Sequence, residues 1–326
     1  MMAPKLMVVI PCYNEQEVLP ETSKRLKEKM TSLVNRGMIA PESRVLLVND
    51  GSRDNTWEMI AQLHKEDPLF EGVKLSRNRG HQNALLAGLM TARGRCDISI
   101  SMDADLQDDM DAMDRFIEKY NEGCDVVYGV RNKRDTDTFF KRTTALAFYK
   151  LMKGLGVDIT YNHADYRLMS NRALDALAQF GEVNLFLRGL APLVGFQSDV
   201  VTYDRAERFA GESKYPLKKM LAFAIDGITS FSVKPLRLIT GVGMGIFVVS
   251  LFMLLYALIS WLCGNTVDGW TSTLCSIWMV GGIQLLSLGV IGEYVGKIYN
   301  ETKHRPRFII ERYLNDCGDG PVVDKR

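Results

Sequence analysis

The stretch "SISMDADLQDD", residues 99–109, ends an apolar-alternating run in a crowd of carboxylates: Asp103, Asp105, Asp108 and Asp109. Two carboxylates ~5 Å apart at an effective dielectric of about 20 repel by roughly 3 kcal/mol. That is about two pKa units. One of them stays protonated, a cation sits between them, or they splay into water. Asp108, Asp109 and Asp111 read as decoration of the first turn of a following helix, where negative charge meets the positive end of the helix dipole. Asp103 and Asp105 differ, standing at a strand end on one side at period two. Gln107 extends that series if the chain stays extended. An all-oxygen site of this kind suits Mg²⁺ or Mn²⁺, which take few protein carboxylates together with substrate phosphates.

Outward from this stretch, short apolar runs alternate with helical patterns. Strands are expected at 6–10, 44–50, 72–76, 97–103 and 125–130, and helices near 15–35, 54–66, 80–93 and 110–122. This alternation predicts βαβ units and a mainly parallel sheet, an α/β fold. Ligands of such sheets bind beyond the carboxyl ends of the strands. Those ends carry "PCYNE", "NDGSRDNT", "SRNRGHQNA" and "MDADLQDD". Each alone has an ordinary explanation in turn chemistry, a helix start or a solvated basic loop. Four polar clusters on one sheet edge are a candidate site, and Arg77 and Arg79 beside the aspartates suit a phosphate-plus-metal ligand. Neither GxGxxG nor GxxxxGK[ST] occurs, which speaks against dinucleotide-oxidoreductase and P-loop chemistry.

The 326 residues carry 40 Lys plus Arg against 39 acidic residues, a net charge of +1, so no nucleic-acid partner is expected. The cysteines (Cys12, Cys96, Cys124, Cys263, Cys275, Cys317) show no CxxC spacing and read as reduced thiols. His64, His81, His163 and His304 are too dispersed for a zinc site.

Two C-terminal runs, Leu238–Leu262 and Thr271–Gly292, contain no charged residue. Each reaches the ~20 residues that a helix needs to span a bilayer's hydrocarbon core. Buried core helices are the alternative, but these rarely stay uncharged on every face for such a length. The connector "CGNTVDGW" lacks Lys and Arg, whereas Lys234 and Arg237 precede the first run and Lys297, Lys303, Arg305 and Arg307 follow the second. The positive-inside rule puts both outer flanks in the cytoplasm, giving a multi-pass protein with a cytoplasmic main domain. No signal peptide is visible. Residues 217–228, "LKKMLAFAIDGI", place Leu217, Met220, Leu221, Ala224, Ile225 and Ile228 on one helical face, as in a helix resting at the membrane interface.

The elements "VVIPCYNE" (8–15), "VNDGSRDNT" (48–56), "LSRNRGHQNAL" (75–85), "MDADLQD" (102–108), "ADYRLMS" (164–170) and "RAERFAGESKYPLKKM" (205–220), with the paired runs after them, resemble glycosyltransferase family 2 enzymes of GT-A fold. Within that family they resemble the polyisoprenyl-phosphate glycosyltransferases, such as dolichol-phosphate mannose synthase and the bactoprenol glucosyltransferases. The resemblance covers nearly the whole chain. It implies a catalytic domain over 1–212, juxtamembrane helices over 213–237, a transmembrane hairpin over 238–292 and a cytoplasmic tail over 293–326. The activity implied is inverting transfer of a hexose from a UDP-sugar to undecaprenyl phosphate at the inner membrane of a bacterium. A GDP-mannose-dependent mannose synthase and a processive polysaccharide synthase are the alternatives; the latter usually carries more spans and a QxxRW signature absent here.

By the same resemblance Pro11, Asn14, Glu15 and Asp50 line the nucleoside pocket, with Asp50 hydrogen-bonding the base. Asp103 contacts the ribose and metal side, and Asp105 with Gln107 holds the divalent ion. Asp165 and Arg167 face the reacting centre, and Arg131 approaches the acceptor phosphate. Arg205, Ser213 and Lys214 belong to a loop that closes over the phosphates, and a homo-oligomer is expected. Where the family often continues "DLQ" with a "DPPE"-like helix start, this chain reads "DDMDAMDR".

Overall fold

The computed structural model describes residues 3–131, 163–182, 187–204, 234–262 and 269–315. Its core is an eight-stranded sheet built from β1 (Leu6–Cys12), β2 (Arg44–Asn49), β3 (Phe70–Leu75), β4 (Ile98–Ser101), β5 (Val126–Arg131), β6 (His163–Ser170), β7 (Ser198–Tyr203) and β8 (Ile310–Leu314). The strand order is β7-β5-β6-β4-β1-β2-β3-β8. β1 pairs in parallel with β2 and β4, β2 with β3, and β5 with β7, while β6 and β8 run antiparallel to their neighbours. The sheet is therefore mainly parallel, as the alternation of runs implies. The carboxyl ends of β1–β5 and β7 share one edge with the start of β6.

Four helices follow the first four strands as expected: α1 (Leu19–Asn35), α2 (Thr56–Glu66), α3 (His81–Ala92) and α4 (Ala112–Asn121). β1 is buried along its whole length, so its two faces pack on opposite layers. Leu6, Val8, Ile10 and Cys12 join Leu26 and Met30 of α1 and Phe116 and Ile117 of α4. Val9, on the other face, meets α3 at Gly88, where a β-carbon would lie 2.3 Å from a Val9 methyl and 2.8 Å from a Val48 methyl. The backbone of α3 sits on the sheet only because that side chain is missing. Gly88→Ala is expected to cost about 1–3 kcal/mol by overpacking, read as a lower urea midpoint at unchanged slope.

Three strands escaped the reading of apolar runs: β6, β7 and β8. β6 alternates charged and apolar residues in "ADYRLMS", and β7 is an edge strand with exposed Val200. β8 is added by the C-terminal tail, antiparallel to β3. It is fastened by a buried cluster in which Arg95 meets Glu71 through two contacts of 2.8 Å and the Tyr313 hydroxyl donates to Glu71 at 2.7 Å. Two further short helices, α5 (Asn171–Leu177) and α6 (Leu187–Leu193), complete the first unit.

The second unit of the chain holds α7 (Lys234–Leu262) and α8 (Trp270–Thr302). At 1.5 Å per residue these 29- and 33-residue helices exceed a bilayer core in length. Among the described residues one stretch, Met279–Thr302, is long and apolar enough to cross a membrane, rather than the two expected. Large apolar side chains stand open on both helices, among them Phe252 at 68% and Leu285 at 74% exposure. The amphipathic segment 217–228, and Arg205, Ser213 and Lys214, lie outside the described residues.

Candidate functional site

The loops beyond β1 and β2 interlock. Asn14 adopts a left-handed backbone (φ 55°), and its side-chain oxygen accepts from the Arg53 N–H at 2.9 Å, while the Asn14 N–H donates to the Ser52 hydroxyl at 3.0 Å. The Glu15 N–H donates to the Thr56 hydroxyl, which itself donates to Asp54. Pro11 is buried within β1. Asp50, 2% exposed, accepts from the N–H groups of Arg79 and Gly80 at 2.7 and 2.9 Å, and so clasps the loop after β3. Burial pushes its carboxyl up, and the two backbone donors oppose this. Gly51, at φ 64°, makes the clasp possible, since a β-carbon there would fall 2.5 Å from the Asn78 nitrogen. Arg77, on the clasped loop, is exposed at the sheet edge.

The aspartate stretch does not stay extended. β4 ends at Ser101, Leu106 turns left-handed (φ 59°), and the Gln107 N–H donates back to Asp105 at 3.2 Å. Gln107 therefore does not continue the period-two series, because the local side-chain-to-backbone bond outcompetes extension. Asp103 and Asp105 remain at the edge, both partly exposed.

Asp108 corrects the sequence reading. It is not a solvated helix-start residue: its side chain is 1% exposed and its Oδ1 accepts from the Tyr203 hydroxyl at 2.6 Å, with an Arg131 nitrogen 3.4 Å away. Arg131 also donates to the Tyr203 oxygen at 3.2 Å. Asp109 and Asp111 do belong to the turn before α4, where Asp109 accepts from the Asp111 N–H.

β6 supplies the other half of the site. Its register pairs Ser101 with Arg167. Continued two residues, that register sets Asp165 beside Asp103. Asp165 is 5% exposed and collects cations: Arg167 at 3.0 Å, Arg188 at 3.1 and 3.0 Å, and the His81 ring at 3.4 Å. Burial resists its charge, but His81, Arg188 and Arg167 more than compensate and hold the carboxyl well below the usual range. Arg167 is not on the open edge; it is 2% exposed behind Asp165, with a second bond to the Leu187 carbonyl. Arg188, from the first turn of α6, was missed by sequence reasoning, as was Tyr203; each is an ordinary residue in sequence and acquires a role only through a partner 23 or 95 positions away.

His81 also lies 3.5 Å from Asp103. Asp103 keeps about a third of its side chain open, yet its Oδ1 is buried without a hydrogen-bond donor. Burial, opposed by His81 and reinforced by Asp108, Asp165 and Asp105, pushes its carboxyl up to about 6. An orphaned carboxylate oxygen among like charges fits a divalent cation. Among the described residues no three His, Cys, Asp or Glu side chains are placed to hold one unaided, so Asp103 and Asp105 would share Mg²⁺ or Mn²⁺ with substrate oxygens. Protons compete for Asp103 below pH ~6, so Mn²⁺ affinity should be flat above that pH and fall up to about tenfold per unit below it. Mn²⁺ titration across pH 5–8 by electron paramagnetic resonance checks this.

Comparison with known proteins places these elements. Residues 7–178 match glycosyl transferase family 2, and residues 234–298 match the GtrB C-terminal hairpin. The chain is 53% identical to the glycosyltransferase YkoT of Bacillus subtilis, over 94% of this chain and 91% of that one. It is 41% identical to the bactoprenol glucosyl transferase of Shigella phage SfV, over 94% and 98% of the respective chains. Among solved structures, the mannosyltransferase PcManGT from Pyrobaculum calidifontis is similar over 91% of this chain and 85% of that one, with a TM-score of 0.47 at 16% identity. A sheet edge lined by the loops of the first four strands, within a chain so closely matched over its length, leads to one assignment: this protein belongs to glycosyl transferase family 2.

Proposed function

We propose that the protein transfers glucose from UDP-glucose to undecaprenyl phosphate, with inversion, at the cytoplasmic face of a bacterial plasma membrane. The observation that carries this reading is the likeness to the bactoprenol glucosyl transferase of Shigella phage SfV, which runs through the catalytic unit and the hairpin alike. In it, Leu238–Leu262 and Thr271–Gly292 form two spans, and the open apolar side chains of α7 and α8 face lipid or a second copy in a homo-oligomer.

The site's chemistry supports a phosphate acceptor. Asp165, a buried carboxylate of the sheet edge, is occupied by two guanidinium groups and an imidazole. It is a poor proton acceptor. A phosphate monoester is already largely ionised at neutral pH and needs no base to attack an anomeric carbon. Departure of the nucleoside diphosphate concentrates negative charge on the leaving group. A divalent ion held by Asp103 and Asp105, with Gln107 alongside, would supply Lewis-acid screening of that charge. Arg77 on the clasped loop would add to it from the donor side, and Arg131, steadied by Asp108 and Tyr203, would receive the acceptor phosphate. Pro11, Asn14, Glu15 and Asp50 shape the nucleoside side, the last through its hold on the Arg79–Gly80 backbone. Arg205, Ser213 and Lys214 complete the proposal as residues that close over the phosphates.

Membranes containing the full chain, given labelled UDP-glucose, undecaprenyl phosphate and Mn²⁺, should yield a chloroform-soluble lipid bearing one sugar. Label accepted only from GDP-mannose would make the enzyme a mannose synthase, and long polymer a processive synthase. No lipid-linked product from any nucleotide sugar would overturn the reading.

A further inference from the structure

We propose that Arg188 is a positioning residue for sugar transfer: its two-pronged grip fixes the plane of the Asp165 carboxylate beside Asp103. The inference rests on the reading of this sheet edge as the transfer site.

Nε and one terminal nitrogen of Arg188 reach different oxygens of Asp165, at 3.1 and 3.0 Å. Such a fork defines the orientation of a carboxylate, which a single hydrogen bond leaves free to rotate. Arg167 provides a single contact, to Oδ1, and the His81 ring lies at a longer 3.4 Å from Oδ2. Burial opposes the Arg188 charge, but Asp165 and Asp103 more than compensate and raise its pKa, so its charge is favoured here. What sets it apart from Arg167 is geometry: it meets both oxygens of Asp165, where Arg167 meets one.

The segment bearing Arg188 is itself pinned from two sides. The Leu187 carbonyl accepts from Arg167 at 3.1 Å, and the Leu187 N–H donates to the Gln82 side chain at 2.8 Å. Gln82 follows His81, and both follow the Arg79–Gly80 backbone that Asp50 clasps. A continuous set of bonds thus runs from the nucleoside-side loop to the guanidinium that orients Asp165. Arg188 keeps 32% of its side chain open, so its removal leaves the buried Asp165–Arg167 pair intact.

The test uses the full-length chain in membranes, with R188A and R188K compared with wild type in steady-state sugar transfer. A carboxylate free to swing by an ångström costs on the order of 10²-fold in rate, so R188A should lose about that much kcat while the donor KM stays within about threefold. R188K, which keeps the charge and loses the fork, should recover only a minor part. Guanidinium chloride at sub-denaturing concentration should restore R188A where equal sodium chloride does not. Wild-type-like kcat in R188A or R188K, a change confined to KM, or a loss that guanidinium does not rescue would each overturn the inference. A wild-type chain that transfers no sugar overturns the functional reading instead, and the role of Arg188 in it.

Discussion

Asp165→Ala should be the most damaging single substitution in the sheet. It leaves Arg167, 2% exposed, as a buried guanidinium with no anion, the situation in which breaking a buried pair costs about 3–5 kcal/mol. The urea midpoint should fall accordingly, and transfer should be lost even in the fraction that stays folded. Removing both charges separates the two effects. Asp165→Leu combined with Arg167→Met should regain most of the stability and none of the activity, giving a strongly non-additive cycle. The pH dependence follows from the sign of the shift. Asp165 is held below the usual carboxylate range in the folded chain. Its contribution is therefore fully present above the unfolded carboxyl's pKa and lost only as pH falls through the lower folded value.

Asp105→Ala should be the most damaging substitution that spares the fold. Asp105 is partly exposed in the turn after β4. Its loss should leave thermal unfolding almost unchanged while transfer falls by about 10²–10³-fold, the scale seen when one preorganised electrostatic group is removed from a transition-state site. Raised Mn²⁺ should recover part of the rate. Asp109→Ala, four residues on, loses a bond to the Asp111 N–H and should transfer at the wild-type rate. Normal turnover in Asp105→Ala would remove the metal assignment.

These contrasts also mark where sequence alone stops. β1 to β5 and the helices between them were legible because each is a local pattern with its own period, and the parallel arrangement then sends every polar strand end to one edge. Asp103 and Asp105 were legible for the same reason. Asp108 was not. A carboxylate before a helix has a sufficient local explanation in the helix dipole, and only the tertiary fold reveals that Tyr203 reaches across to bury it. The period-two series stops short of Gln107 for a different reason, because a left-handed Leu106 ends the extended run. Arg188 lay beyond any pattern, since a guanidinium in "LRGL" looks like a solvated residue until β6 brings Asp165 under it.

The position of β8 has a consequence for how the chain must be made and cut. The catalytic sheet is encoded in two pieces, with both long helices between them. Its eighth strand leaves the ribosome last, after α7 and α8, so β3 stays an open edge throughout the synthesis of the hairpin, and the sheet closes only when the tail arrives. Trimming the gene before Lys234 to obtain a soluble enzyme would therefore discard a strand along with the hairpin. It would strand the Glu71 carboxylate without the Tyr313 hydroxyl and leave a ready template for aggregation. Excising the helices while rejoining the tail would keep the sheet whole.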